Sequence, residues 1–293
     1  MSIEKKKILL IGKTGQLGRE IMKDAFSFGF EIVGFEQEEL DVTNYLQVKE
    51  KIEKIKPNIV INTSAYHVVS MCQENPMMAM AVNFIAVLNL ASICKENNII
   101  FITYSSDYVF DGTKKISYKE DDAPNPLQMY GMSKLAGEYA ALHAYPNGVF
   151  IIRTCGLYGG KIGSSQKGNF VLNIIKEAGD KEVVEVSVDR MASPTYAGNL
   201  SKATLTLLNS KAKFGIYHLI NEGECSWYEF TQEIFKLAGV TKKLKPINRG
   251  DVDGKIKRPK FSALKNTKAL ALGIQLPSWQ EGLVDYFNFL KNE

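Results

Sequence analysis

The sequence predicts an α/β fold, a Rossmann-type doubly wound parallel sheet with a smaller C-terminal α/β lobe. Two observations predict it. Short apolar strands alternate with helical segments through the first half of the 293 residues, the pattern of a parallel sheet covered by helices on both faces. A glycine-rich turn also stands between the first strand and the first helix. We expect a Rossmann domain over residues 1–155 and a mainly substrate-binding lobe over 156–293, with the chain returning to the first domain around 180–225.

The first strand and the turn after it form a candidate dinucleotide site. Lys7–Ile11 is an apolar run typical of a buried parallel strand, and Gly12, Gly15 and Gly18 follow it before a predicted helix over Arg19–Phe28. In this spacing one glycine allows the tight turn, one lets the backbone approach a pyrophosphate, and the last allows close helix–strand packing. The N-terminus of the helix would face the phosphates with free N–H groups. A plain strand–turn–helix is the alternative, but the placement favours a nucleotide site.

The second predicted strand, Glu31–Phe35, is followed by Glu36. An acidic side chain at this place can accept hydrogen bonds from the adenosine ribose hydroxyls and would repel a 2′-phosphate. This pattern favours NADH as the cofactor and leaves NADPH as the second choice. The alternative is that Glu36 merely opens an acidic turn, because further carboxylates follow it closely.

The later strands of the first half also end in polar motifs. These strands are predicted, in chain order, at Ile59–Asn62, Ile99–Tyr104 and Val149–Arg153. Ligands of parallel sheets bind beyond the carboxyl ends of the strands. Ser64–Tyr66 and Ser105–Asp107 fall at such ends, as Gly12 does. We therefore expect these motifs to converge on one site.

Tyr130 and Lys134 are the candidate acid and its partner. They are four residues apart, so on a helix they share a face with Cβ atoms roughly 5–6 Å apart. An ammonium beside a phenol favours the phenolate and is expected to lower the pKa of Tyr130, which would make it a proton donor to a carbonyl at neutral pH. The pair alone is weak evidence, since a solvated helix face produces it by chance. Beside a dinucleotide site it becomes informative.

The composition restricts the class of protein. The chain is 45% hydrophobic and 23% charged with a net charge of +4, which is ordinary for a soluble enzyme. Its lysine clusters are short and lack interleaved aromatics, so we expect no nucleic-acid partner. We find no apolar run of roughly 18 residues and no signal peptide, and expect a cytoplasmic protein without a membrane partner. The four cysteines have neither disulfide nor metal spacing, so no metal ligands are predicted.

Taken together, the motifs resemble the extended short-chain dehydrogenase/reductases, and among them closely the dTDP-4-dehydrorhamnose reductase family. The resemblance extends over nearly the whole chain. The matching motifs are, in chain order, Gly12–Gly18, Leu40–Thr43, Asn62–Tyr66, Ser105–Gly112, Tyr130–Glu138, Arg153–Thr154, Ser193–Thr195, Tyr217–His218, Ser226–Trp227, Arg258–Pro259 and Leu276–Pro277.

The resemblance implies NAD(P)H-dependent reduction of the 4-keto group of a nucleotide-activated 6-deoxysugar, most simply dTDP-4-dehydrorhamnose to dTDP-rhamnose. By position, Tyr130 would be the general acid, and Lys134 would lower its pKa and hold the nicotinamide ribose. Ser106 would hydrogen-bond the sugar carbonyl, and Asp107 falls on the active-site aspartate of the family. Arg258 would suit the substrate diphosphate, unless it is a solvated loop residue. The implied cofactor contacts are Gly12, Gln16, Leu17, Asp41, Val42, Ala65 and Tyr66.

Residues on the substrate side depart from the family pattern. Cys155 and Gly156 stand where the family usually has serine and tryptophan, so a ring near the sugar is missing, and the stretch that begins at His67 lacks two carboxylates. The exact sugar therefore stays open. For His67 itself, a locally hydrogen-bonded residue is favoured over a catalytic one.

Two other functions compete with the reductase. One is a non-catalytic dinucleotide-binding subunit similar to the regulatory subunit of methionine adenosyltransferase, and the other is a nucleotide-sugar epimerase or dehydratase. Intact Tyr130, Lys134 and Asp107 argue against the regulatory subunit. The resemblance is compatible with a homodimer, and it leaves a divalent metal requirement open.

Overall fold

A computed structural model describes residues 5–161, 168–250, 252–254 and 256–292. The strands are, in chain order, β1 (Lys6–Ile11), β2 (Phe30–Phe35), β3 (Ile59–Asn62), β4 (Ile100–Ser106), β5 (Val149–Thr154), β6 (Leu157–Tyr158), β7 (Val183–Ser187), β8 (Met191–Ala192), β9 (Thr195–Tyr196), β10 (Gly215–His218), β11 (Cys225–Ser226), β12 (Lys243–Ile247), β13 (Val252–Asp253) and β14 (Ile256–Lys257). The helices are α1 (Gln16–Asp24), α2 (Tyr45–Ile55), α3 (Val69–Glu74), α4 (Pro76–Met80), α5 (Ala86–Glu96), α6 (Met129–Ala144), α7 (Phe170–Asp180), α8 (Ala197–Asn209), α9 (Trp227–Ala238), α10 (Thr267–Ala271) and α11 (Trp279–Asn292).

The central sheet has six strands in the order β10-β5-β4-β3-β1-β2. Each neighbouring pair is parallel. The strand order reverses between β1 and β3, which leaves a crevice at their carboxyl ends where ligands of such sheets bind. The predicted Rossmann-type parallel sheet is confirmed.

Two apolar layers cover the faces of this sheet. Ile8 and Leu10 of β1 pack in one layer with residues of α1 and α8, whereas Leu9 and Ile11 pack in the other with residues of α2 and α5. All four β1 side chains are at most 2% exposed. Because consecutive residues of a strand point to opposite faces, burial on both faces requires an uninterrupted apolar strand. This is why the strands appear as continuous apolar runs in the sequence.

The second half of the chain divides its elements between the sheet and a smaller lobe. β10 pairs with β5, and α8 contributes Leu200 and Leu208 to the apolar layer that also holds Leu17 of α1. The smaller lobe has its own core, built from α7, α9 and α11, in which Phe230, Trp279 and Tyr286 are buried. A fourth apolar cluster joins residues after β4 to β8 and to the segment before α10. The lobes therefore meet beside the carboxyl ends of the sheet strands.

Two helices differ from the sequence expectation. The first begins at Gln16 rather than Arg19, since Gly15 occupies the N-cap, and it ends at Asp24. For the second, the sequence predicts one helix from about residue 76 to 97, whereas the structure has a π-helical turn, Ala81–Ile85, between α4 and α5. In that turn Asn83 donates from Nδ2 to the Tyr66 carbonyl at 2.8 Å. An extra residue in the turn thus lets a buried amide reach the site, as π-bulges often do.

One helical stretch is longer and more apolar than the sequence analysis allowed. Pro76–Glu96 has the length and composition to cross a membrane, so the expectation that no such run exists was wrong. The stretch is partly buried, and its Ala86, Val87 and Leu90 belong to an apolar layer of the sheet. A core helix that packs on a parallel sheet meets the same criteria of length and composition.

Candidate functional site

A cavity of about 400 Å³ opens at the carboxyl ends of β1, β3, β4 and β5. Nine of the residues predicted for the site line it together: Gly12, Gly15, Gln16, Leu17, Ala65, Ser106, Asp107, Tyr130 and Lys134. Residues that are far apart in the sequence therefore meet at the crevice where the strand order reverses.

The glycine turn has the shape that a dinucleotide requires. Gly12 has a φ of +88°, a backbone conformation that favours glycine. A Cβ on Gly18 would lie 2.1 Å from the Gly12 carbonyl oxygen, so α1 packs on the turn more closely than any side chain permits. The buried Oε1 of Gln16, at the start of α1, accepts no hydrogen bond from the described residues. A turn without side chains, a helix N-terminus and this acceptor fit a bound pyrophosphate and its attached ribose.

The end of β2 is arranged differently from the prediction. In the part of the chain that the structure describes, Gln37 lies on the cavity wall and Glu36 does not. The carboxylate of Glu39 lies next to Glu36, because its Oε2 accepts from the Glu36 amide at 3.0 Å, and it also accepts from Lys13 Nζ at 2.6 Å. This hydrogen bond raises the pKa of Lys13. A lysine and a carboxylate thus face each other beside the place predicted for the adenosine ribose.

Three further predicted cofactor residues lie behind the cavity among the described residues. Asp41 Oδ1 accepts from the amide and hydroxyl of Thr43 at 2.9 and 2.8 Å, which closes a local turn. Val42 is 7% exposed and packs in an apolar layer of the sheet. Tyr66 is held through its backbone, since its amide donates to Asn83 Oδ1 at 3.0 Å. A motif match identifies the part of the chain that lies near a site, but not where each side chain points. This is why these three residues were predicted as cofactor contacts although they are not on the cavity wall.

Tyr130 and Lys134 lie on the first turns of α6, which is capped by Gln128 Oε1 accepting from the Gly131 amide at 2.8 Å. The Tyr130 hydroxyl hydrogen-bonds Ser106 at the end of β4. Ser106 Oγ in turn donates to Asp107 Oδ1 at 2.7 Å. A chain of three hydroxyl and carboxyl groups therefore runs from the acid candidate into the protein.

Burial controls the protonation of this cluster. It raises the pKa of Tyr130, so the expectation of a lowered pKa was wrong: the loss of solvent outweighs the hydrogen bond with Ser106. Burial also lowers the pKa of Lys134 to about 8, although nearby Glu138 opposes the shift. The pKa of Asp107 is raised by burial against its hydrogen bonds to Ser262, Ser106 and Cys155. Tyr130 is therefore a neutral phenol at physiological pH, the form that can donate a proton.

Several residues on the cavity wall were missed by the sequence analysis. They are Thr14 in the glycine turn, Gln37 and Thr63 just after β2 and β3, Tyr104 and Thr154 inside the ends of β4 and β5, and Leu157 in β6. Extending the strand-end rule to every strand would have found most of them. Ser64 and Ser105, whose motifs were expected to converge here, line the cavity as well. His67 also lines the cavity while staying exposed, with Nδ1 3.4 Å from the Ala65 carbonyl oxygen.

A second cavity of about 180 Å³ adjoins the first. Ser106, Asp107, Tyr130 and Gly156 line both cavities, so the acid candidate stands where they meet. Arg258 contacts this region through Tyr108, because its Nη1 donates to the Tyr108 hydroxyl at 3.0 Å and Tyr108 lines the second cavity. Within the described ranges, no three His, Cys, Asp or Glu residues are grouped so that they could hold a metal ion.

The comparisons with known proteins agree with this geometry. The family described as "RmlD substrate binding domain" matches residues 6–292. dTDP-4-dehydrorhamnose reductase from Aggregatibacter actinomycetemcomitans is 34% identical, covering 94% of this chain and 97% of the relative. dTDP-4-dehydrorhamnose reductase from Bacillus anthracis, solved in complex with NADP, is 32% identical with a TM-score of 0.91, covering 97% of this chain and 99% of that one.

A more distant structure shares the fold alone. It is the UDP-glucose 4-epimerase from Thermus thermophilus in complex with NAD, at 20% identity and a TM-score of 0.78, covering 96% of this chain and 99% of that one. The family match, by contrast, includes nearly every described residue and the whole of both cavities. The chain belongs to the family of the RmlD substrate-binding domain.

Proposed function

We propose that this protein is an NAD(P)H-dependent oxidoreductase that reduces the 4-keto group of a nucleotide-activated 6-deoxysugar, converting dTDP-4-dehydrorhamnose to dTDP-rhamnose. The observation that carries the proposal is the position of Tyr130 and Ser106 at the junction of the two cavities. One cavity begins at the glycine turn and takes the dinucleotide. The other takes the sugar, so the two reactants meet at the proton donor. Family membership and the reductase activity for which the relatives are named support the same reaction.

Each residue of the site has its own role in the proposed reaction. When bound, the reduced nicotinamide supplies the hydride that reaches the keto carbon. Tyr130 then donates its hydroxyl proton to the developing alkoxide, and Ser106 holds the same oxygen by a hydrogen bond. The Lys134 ammonium, buried near the acid, would hold the nicotinamide ribose by a hydrogen bond and would stabilise negative charge on Tyr130 after transfer. Before substrate binds, the Ser106 hydroxyl donates to Asp107, and it turns from that carboxylate to the sugar oxygen in the complex. General acid catalysis of this kind contributes typically about 10²–10⁴-fold.

The decisive experiment is a reductase assay with purified protein. dTDP-4-dehydrorhamnose is added to enzyme and either NADH or NADPH, and oxidation of the cofactor is followed by its near-ultraviolet absorbance. Stoichiometric oxidation with formation of dTDP-rhamnose supports the proposal. Tight dinucleotide binding without turnover would instead indicate the regulatory subunit, and sugar conversion without net cofactor consumption would indicate an epimerase or dehydratase. A cytoplasmic location and a homodimer stay predictions beside this proposal.

The choice between NADH and NADPH is expected to depend on Glu39. Its carboxylate holds Lys13 at 2.6 Å and adds negative charge where a 2′-phosphate would lie. In Glu39→Gln the ammonium is released and one repulsive charge is removed. We expect the ratio of the NADPH to NADH dissociation constants to fall about three- to tenfold, measured by fluorescence titration of each cofactor.

Glu38→Gln is the matched control for this prediction, because it removes an adjacent exposed carboxylate and leaves the Lys13–Glu39 pair in place. We expect Glu38→Gln to change the ratio of the NADPH to NADH dissociation constants less than Glu39→Gln does. Equal effects of the two variants, or no change in Glu39→Gln, would show that Lys13 does not select the cofactor.

The pH dependence of activity is expected to report the charge of Lys134. Its pKa is lowered to about 8 by burial, so the ammonium is present below that pH and is lost as the pH rises through it. We therefore expect kcat/KM for the dinucleotide to decline above about pH 8, since this parameter reports the free enzyme. In Lys134→Arg the guanidinium stays charged, and the alkaline decline should disappear even if the rate is lower. An unchanged decline in that variant would assign it to another group.

A further inference from the structure

Trp227 lies on the wall of the second cavity, and the fold fixes its backbone there. It is the first residue of α9, and Ser226 before it forms a capping box in which Glu229 Oε2 accepts from the Ser226 amide at 2.7 Å. The Trp227 amide donates to the Arg190 carbonyl at 3.3 Å. Its indole packs against Phe170, with ring centroids 4.5 Å apart. The ring is therefore held in position by the protein itself.

Gly156 provides the space into which this indole extends. A Cβ at Gly156 would lie 3.3 Å from Cη2 of Trp227 and 3.2 Å from Cα of Pro194, and Gly156 has a φ of +52°. Any other residue here would press on the indole and strain the backbone. Cη2 belongs to the six-membered ring, away from the indole N–H. A carbon edge therefore faces Gly156, one of the four residues that line both cavities.

The second cavity thus combines polar and apolar walls close together. Tyr130 and Ser106 provide hydroxyl groups on one side, while Trp227 and Ala192 provide carbon surface. When the keto oxygen of a sugar binds at these hydroxyl groups, the sugar carbons next to the keto carbon come within reach of the indole edge. A methyl group buried there gains from the hydrophobic effect. A hydroxyl in the same place would lose water against carbon atoms and gain no hydrogen bond from them.

We infer that Trp227 determines specificity for the sugar, by packing the carbon edge of its indole against the methyl group of a 6-deoxyhexose. The inference rests on the proposed function, since it takes the keto oxygen at Tyr130 as the fixed point. Trp227 contacts the substrate and takes no part in proton transfer. It selects against a hydroxyl group at the sugar carbon where the substrate has a methyl.

Binding can be measured without turnover through tryptophan fluorescence. The chain has two tryptophans, and the other, Trp279, is 8% exposed in the core of the smaller lobe. dTDP-rhamnose is expected to quench the wild type and Trp279→Phe, and not Trp227→Phe, whereas dTDP alone should quench little. Equal quenching by dTDP and dTDP-rhamnose would overturn the inference. If the protein fails to reduce the keto sugar and dTDP-rhamnose still quenches Trp279→Phe, the inference stands and the proposed function falls.

Kinetics supply the second test. In Trp227→Ala we expect KM for dTDP-4-dehydrorhamnose to rise about tenfold to a hundredfold, with the dissociation constant for the dinucleotide unchanged. The preference for dTDP-rhamnose over dTDP-glucose, which carries the hydroxyl, should shrink by a similar factor. Trp227→Phe, which keeps an aromatic edge, should retain part of the preference. A Trp227→Ala variant with unchanged KM and unchanged preference would contradict the inference.

Discussion

Replacement of Tyr130 by phenylalanine is expected to lower kcat by about 10²–10⁴-fold while the dinucleotide still binds with its normal affinity. The variant keeps the ring, which packs edge-on against Tyr108 at 6.0 Å between centroids, and loses only the hydroxyl. That hydroxyl lies where both cavities meet and is neutral because burial raises its pKa. The measurement is steady-state turnover together with cofactor titration.

Tyr139→Phe is the matched control for this experiment. Tyr139 lies on the same helix, α6, but is 56% exposed and lines neither cavity among the described residues. We expect it to have wild-type turnover. Full turnover in Tyr130→Phe would remove Tyr130 as the proton donor and leave Ser106 and Asp107 as the groups to examine next.

Replacement of Glu138 by glutamine is expected to reduce the free energy of unfolding by about 3–5 kcal/mol. Glu138 binds Arg153 through two hydrogen bonds, of 2.9 Å to Nε and 2.6 Å to Nη2. Both side chains are at most 2% exposed. In the variant the guanidinium stays buried and charged without its counter-ion, so the desolvation of that charge is no longer offset. Denaturant titration measures the change.

The exposed pair of Glu177 and Lys181 offers a control, because Glu177→Gln breaks an ion pair of 2.7 Å on the surface of α7. Such pairs contribute only about 0–1 kcal/mol. If Glu138→Gln were no more destabilising than Glu177→Gln, the buried pair would not be what joins α6 to β5. Glu138 also raises the pKa of Lys134, so we expect the alkaline decline in activity to move to lower pH in Glu138→Gln.

The sheet could be predicted from the sequence because its strands are buried on both faces. A strand such as Ile59–Asn62 has no polar residue before its end, and this pattern is distinctive. The π-helical turn at Ala81–Ile85 could not be predicted in the same way. It depends on the amide of Asn83 reaching the Tyr66 backbone and Ser133 at once, and these partners are distant in the sequence.

Residues of the candidate site could be predicted only where a short sequence motif by itself indicates a binding or catalytic role. The glycine turn and the Tyr130–Lys134 pair are of this kind. Thr63 belongs to the Asn62–Tyr66 motif but was not predicted as a site residue, because its place on the cavity wall follows from β3 lying beside β1. The predicted direction of the pKa shift of Tyr130 was wrong for a related reason. Burial by elements remote in the sequence raises the pKa and outweighs the hydrogen bond with Ser106, and the sequence does not show which elements those are.

The pairing of β10 with β5 has a consequence for how the chain folds during synthesis. Six strands complete the sheet, yet the sixth ends at His218, more than sixty residues after β5. Until that segment leaves the ribosome, β5 presents an unpaired edge, and α1 lacks the apolar side chains of α8. During synthesis the first domain therefore exposes the unpaired edge of β5 and the apolar face of α1 at the same time. We therefore expect the unit that folds cooperatively to extend well beyond residue 155, the predicted boundary of the first domain.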